Sequence, residues 1–153
     1  MKLITPQQAF DLAKTRNFEM LRTSKVSEHF SWEEVFKNRT DAEIRSCGLE
    51  IFKNALKQAE TMEKVRAFFG NVAIWVQSWF RPEEVNRRVG GANNSQHLKA
   101  LATDFQVQGY EGLSGNSRAQ KLLDSQPFMQ DKGLETTHGT WTHVDTRGYK
   151  ARF

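Results

Sequence analysis

The sequence predicts an α+β fold, with a helical N-terminal half packed on a small, largely antiparallel sheet. Three observations carry that expectation. Apolar residues recur at steps of three and four from Leu49 to Phe69, the spacing of one helix face. Past Gly70 the period changes, and VAIWVQS (72–78), ATDFQV (102–107) and TWTHVDTR (140–147) read as strands. The order of elements, helices first and then strand, helix, strand, helix, strand, suits helices set against a sheet.

The elements follow in turn. Thr5 ahead of Pro6 is a cap followed by a first-turn proline, and the helix it opens runs to about Arg16. Ser31 with Glu34 matches a capping box before the short helix WEEVFK. Thr40 with Glu43 opens another short turn, which Gly48 closes. The long helix then carries Ile51, Phe52, Ala55, Leu56, Ala59, Met62, Val65, Phe68 and Phe69 on its apolar stripe and ends near Gly70. Residues 72–78 are apolar on both faces and predict a buried strand. Pro82 starts a short helix to about Val89, Gly90 and Gly91 end it, and ANNSQ forms a loop into His97. SRAQKLLDSQ (117–126) predicts a surface helix.

A chain of 153 residues fits one domain, 1–153, and can bury a core without disulfide help. Apolar residues make up 38%, and eleven Phe, four Trp and two Tyr supply large core side chains, so the chain is not of a disordered class. The net charge of +4 is spread thinly, apart from Arg147, Lys150 and Arg152 near the end. No basic tract or recognition helix stands out, so nucleic acid is not an expected partner; an anionic polymer such as a bacterial cell wall is. Cys47 alone excludes an intrachain disulfide and a four-cysteine metal site. The N-terminus MKLITPQQAFDLAKTR lacks the apolar core of a secretory signal, and no stretch suits a bilayer, so membrane insertion is not expected.

The chemistry concentrates in His97, Asp104 and His143. Two imidazoles and one carboxylate fill three corners of a tetrahedral zinc site and leave the fourth for water, as catalysis requires. Strand alternation puts Trp141, His143 and Asp145 on one face and Thr142, Val144 and Thr146 on the other. A face bearing His and Asp lines a cleft better than a core, with Asp145 placed to orient His143 from behind. Asp104 lies opposite Phe105 and Val107, which would anchor its strand. Spacing alone leaves Asp104 open to a turn or cap role.

The surrounding text resembles a known family. QSWFRPEEVNRRVGGANNSQHLKALATDFQV followed by WTHVDTR is similar to the zinc D-alanyl-D-alanine carboxypeptidases and related phage endolysin peptidases, which share a fold with the hedgehog signalling domain. Ser95, His97, Ala102 and Asp104 match the family pattern S-x-H-x-x-G-x-A-x-D; Ser78, Phe80 and Arg81 match S-x-[YF]-R; Trp141 and His143 match W-x-H. SEHFSWEEVF resembles the HFT-x-x-E opening of the branch that includes phage lysins, so the likeness covers about residues 27–150. It implies one zinc ion per chain on His97, Asp104 and His143, with Arg81 binding a substrate carbonyl, carboxylate or oxyanion. Ser95 could bond the peptide or cap its loop, Trp79 and Trp141 could wall the cleft, and Asn86 and Asn93 read as structural.

Two positions depart from the pattern. Ala100 stands where the family usually has Gly. Thr140 stands where many members carry an Asp or Glu three residues before the last His as general base. His138 is then the first choice for the base, since a His precedes the last ligand in some related murein endopeptidases; Glu135 is second and Asp145 third. The resemblance implies a peptidase of the peptidoglycan stem peptide, of the phage-endolysin, L-alanyl-D-glutamate endopeptidase kind, acting as a monomer. Such a protein is made in the cytoplasm and meets the wall after holin-type release or as a virion component. The alternatives are a D-Ala-D-Ala carboxypeptidase or dipeptidase, and a non-catalytic zinc-containing wall-binding module.

Overall fold

In the computed structural model, which describes residues 1–137 and 139–153, the helical half is built from short helices held by their caps. Helices α1 (Pro6–Lys14), α3 (Trp32–Val35) and α4 (Asp41–Arg45) each open with a complete capping box, on Thr5/Gln8, Ser31/Glu34 and Thr40/Glu43. Helices of four or five residues do not sustain themselves, so caps and the burial of Trp32, Val35 and Ile44 must hold them. Helix α2 (Phe18–Arg22) lies between α1 and a two-stranded ribbon of β1 (Lys25–Ser27) and β2 (Phe30–Ser31). Gly48 does not close α4. It is the extended N-cap of α5 (Leu49–Phe68), because α4 already ends at Ser46.

Helix α5 is about 30 Å long, at 1.5 Å per residue, and forms the spine of the molecule. Phe52 on α5 meets Phe10, Trp32 and Phe36 with ring centroids 5.4–5.8 Å apart, the centre of the aromatic core. The opposite contact of α5 is polar. Gln58 is fully buried and donates to Thr103 Oγ1 at 3.1 Å and to the Val144 carbonyl at 2.9 Å, while its Oε1 accepts from Thr146 at 2.7 Å. A satisfied buried amide of this kind fixes the helix against two specific strands, with no freedom to slide.

Those strands belong to a five-stranded sheet in the order β3-β4-β6-β5-β7, comprising β3 (Ile74–Ser78), β4 (Ala102–Val107), β5 (Gly133–Leu134), β6 (Thr142–Asp145) and β7 (Ala151–Arg152). Every pairing is antiparallel except β5 with β7. Strand β3 is not buried on both faces as its apolar run suggests: it is the sheet edge, and Trp75 is 44% exposed while Ile74 and Val76 face the core. An antiparallel sheet covered by helices on one side leaves the other face to solvent. Helix α6 (Glu83–Arg88) follows β3, and α7 (Gly112–Asp124) starts five residues before the expected Ser117 and buries Ala119 and Leu123. Among the described residues no helix is long and apolar enough to cross a membrane.

Candidate metal centre

His97 arrives on a single 3-10 turn, Gln96–Lys99, where an open loop is expected. Ser95 Oγ accepts from the His97 N–H at 3.2 Å and starts the turn; Ala100, left-handed at φ 60°, ends it. The ring is 3% exposed, and its Nδ1 lies 2.7 Å from the Trp79 carbonyl. A carbonyl only accepts, so Nδ1 carries the hydrogen and Nε2 presents a lone pair. Trp79 holds the turn a second time, its indole N–H donating to the Ala100 carbonyl at 2.9 Å. It is fully buried and takes no part in a cleft wall. The left-handed well is open to alanine at modest cost, which is how Ala100 replaces the expected Gly.

Asp104 and His143 are direct cross-strand partners on β4 and β6, so one ladder delivers both to the open face. Asp104 Oδ1 is 3.2 Å from His97 Nε2 and 3.0 Å from His143 Nδ1. A tetrahedral ion with bonds of about 2.1 Å spaces its donors about 3.4 Å apart, so these two separations come close to two edges of such a site. The three donor atoms lie within 4.8 Å of one another, and the group could hold a metal ion.

The far side of His143 is equally determined. Nε2 lies 2.7 Å from Asp145 Oδ2, and Asp145 accepts from Arg147 Nε at 2.7 Å and Nη2 at 2.6 Å. Asp145 thus orients the imidazole from behind, with both oxygens engaged and neither free to act as a base. Gly133, its cross-strand partner on β5, makes room for it, because a methyl group there would strike both carboxylate oxygens. Burial disfavours a charged His143, but Asp104 and Asp145 on its two nitrogens outweigh that and carry its pKa up to about 9. Burial likewise pushes the Asp145 carboxyl up, and Arg147 with His143 reverses this to about 2. Asp104, desolvated but bonded to both imidazoles, is held well below the usual carboxylate range.

Arg81 flanks the centre. Its backbone N–H donates to the His97 carbonyl at 3.0 Å, and Nη2 lies 3.8 Å from Asp104 Oδ2. A cleft of about 270 Å³ opens onto His143 and is lined by Ser95, Glu135, Arg147, Tyr149 and Phe153 among others. Glu135 enters it for a register reason: its N–H donates to the His143 carbonyl at 2.9 Å, one step beyond the Leu134–Val144 pair, so both side chains share a face. Trp141 is 44% exposed and does not line this cleft. His138 lies outside the described residues. Arg147, Tyr149 and Phe153 are not foreseen as site residues; the one signal in the sequence is the i, i+2 spacing that sets Arg147 beside Asp145.

The family model described as peptidase M15 matches residues 28–145. The chain belongs to the peptidase M15 family. Members of M15 are zinc-dependent metallopeptidases, and in this member the His97–Asp104–His143 group has the donor set for that ion. All three donors and Glu135 fall inside the matched segment, whereas Arg147, Tyr149 and Phe153 lie beyond it. No curated protein matches the chain.

Proposed function

We propose that this M15 peptidase binds one zinc ion on His97, Asp104 and His143 and hydrolyses the stem peptide of peptidoglycan, as a phage-type endolysin of the L-alanyl-D-glutamate endopeptidase kind. One observation carries the reading. His97 Nε2, Asp104 Oδ1 and His143 Nδ1 converge while the outer nitrogen of each ring is already tied to an acceptor, so each ring turns its other nitrogen inward as the one available to a metal. The lysin-like segment SEHFSWEEVF and a net charge of +4 support a wall substrate.

The chemistry zinc supplies when bound in such a site is Lewis acidity toward a carbonyl and acidification of water toward neutral pH. The chain's own groups do the rest. Glu135, facing the cleft beside His143, takes the proton from attacking water and returns it to the leaving amine. Asp145 and the Trp79 carbonyl keep the two imidazoles in their tautomers throughout. Arg81 offers its fork of donors to the carbonyl or carboxylate of the peptide. Ser95 caps the His97 turn and lines the cleft, where its hydroxyl could also meet the peptide.

Digestion of purified sacculi with wild type, Glu135→Gln and His138→Ala tests this, with product masses and zinc content read together. Internal stem-peptide cuts are expected, removed by chelator and restored by zinc. Loss of a terminal D-Ala alone would instead indicate a carboxypeptidase. The variant that keeps zinc but loses about 10²–10⁴-fold in rate identifies the base; we expect Glu135→Gln to be that one. Zinc-loaded wild type that binds sacculi and leaves every mass unchanged would remove the peptidase reading in favour of a wall-binding module.

A further inference from the structure

Asn86 is 2% exposed on α6, and both polar atoms of its side chain are hydrogen-bonded. Its Oδ1 accepts from Arg81 Nη1 at 2.9 Å, and its Nδ2 donates to the Ala92 carbonyl at 2.8 Å. Its own carbonyl accepts from the Gly91 N–H at 2.8 Å. One amide therefore joins the arginine after β3 to the loop that leads into Ser95 and His97. Gly91 belongs to the same node: a methyl group there would run into Asn86 Oδ1 and lie 2.7 Å from Arg81 Nη1. The backbone comes so close that only glycine fits.

The other end of the guanidinium faces the metal centre. Arg81 Nη2 lies 3.8 Å from Asp104 Oδ2, whereas Oδ1 of the same carboxylate meets the two imidazoles. We infer that Asn86 is a positioning residue for Arg81: it grips one prong of the fork, so that the guanidinium stays beside Asp104 with its remaining donors available to a bound peptide. An amide suits this task better than an acid. A carboxylate at this position would set a second anion on a guanidinium already beside Asp104, and it could not donate to the Ala92 carbonyl.

The inference rests on the reading of Arg81 as a substrate donor, yet the grip itself is measurable without substrate. The test uses full-length zinc-loaded wild type, Asn86→Ala, Asn86→Asp, Gly91→Ala, Arg81→Ala and the Arg81→Ala/Asn86→Ala double variant. In nitrogen-15 spectra of arginine side chains, wild type should show separate, slowly exchanging Nη signals for Arg81. Asn86→Ala should average them, and so should Gly91→Ala, which keeps the amide but crowds the node. On sacculi, Asn86→Ala should lower kcat/KM by about 10–100-fold at unchanged zinc content, the scale of one hydrogen bond to a charged group. Asn86→Asp should not rescue it. Arg81→Ala and the double variant should agree within about twofold, because Asn86 acts only through Arg81. An Arg81 spectrum indifferent to Asn86 overturns the inference, and so does an Asn86→Ala penalty undiminished in the Arg81→Ala background. If wild type cuts no stem peptide while the Arg81 signals still depend on Asn86, the positioning stands and the functional reading fails.

Discussion

His97 enters the centre from a one-turn 3-10 segment with its outer nitrogen on the Trp79 carbonyl, whereas His143 enters from a strand with its outer nitrogen on the Asp145 carboxylate. Both supports fix a tautomer, but they differ in charge and origin. The carbonyl belongs to the backbone at a fully buried tryptophan, so it carries no charge and no side-chain substitution deletes it. The carboxylate is ionic, braced by Arg147, and raises the basicity of its imidazole. One half of the centre is held by packing and the other by electrostatics. Zinc affinity should therefore depend on pH and on single charges mainly through His143.

The largest effect expected treats the two halves alike. Replacing His97, Asp104 or His143 with Ala should abolish activity and reduce zinc from about one ion per chain to near zero by elemental analysis. A His97 variant that kept its zinc would break the equivalence of the two halves. Asp145→Asn comes next, because it removes the ionic support alone: zinc affinity should fall about 10–100-fold in chelator competition. No loss there would mean that the carboxylate does not tune His143.

The pH dependence sharpens the same contrast. In zinc-free protein the His143 pKa is raised from 6.5 to about 9. The stability this adds is fully present below about pH 6.5 and is lost as pH rises through about 9. Zinc must displace that proton, so at pH 7 calorimetry in buffers of different ionisation enthalpy should show about one proton released per zinc bound. The release should shrink in Asp145→Asn, where one of the two carboxylates holding the proton is gone. The smallest effect concerns the His97 side. Ala100→Gly relieves the left-handed backbone but gives up a buried methyl and adds chain entropy, terms of about 1 kcal/mol each that leave a net loss of only about 1 kcal/mol. Its melting temperature should move by only a few degrees, whereas β-branched Ala100→Val should lower it clearly.

Much of the helical half is legible in the sequence because its signals are local. The capping boxes at Thr5, Ser31 and Thr40 close within three residues, and the stripe of α5 repeats within four. Strand β4 is legible end to end because six residues suffice for alternation. Strands β5 and β7, two residues each, carry no alternation to read. The apolar run of β3 misleads about its exposure, since exposure depends on whether a second strand or helix covers it.

For the centre, the residue types and the family resemblance point to His97, Asp104 and His143 as donors and to Arg81 beside them, but for the base they put His138, which lies outside the described residues, ahead of Glu135. Their support is of another kind. Trp79 beneath His97, Gly133 behind Asp145, the Asn86–Gly91 node at Arg81 and the Tyr149–Phe153 wall are contacts made in space, many across distant parts of the chain. The sequence by itself determined the capped helices, the longer strands, the candidate donors and the family resemblance, because caps, periodicity and motif residues act over a few positions. The tertiary structure alone decided which nitrogen of each imidazole turns inward and, beyond the Asp145 that strand alternation already placed behind His143, which groups hold it there. Those choices depend on hydrogen bonds such as His143 to Asp104, whose partners stand 39 positions apart and meet only when two strands pair.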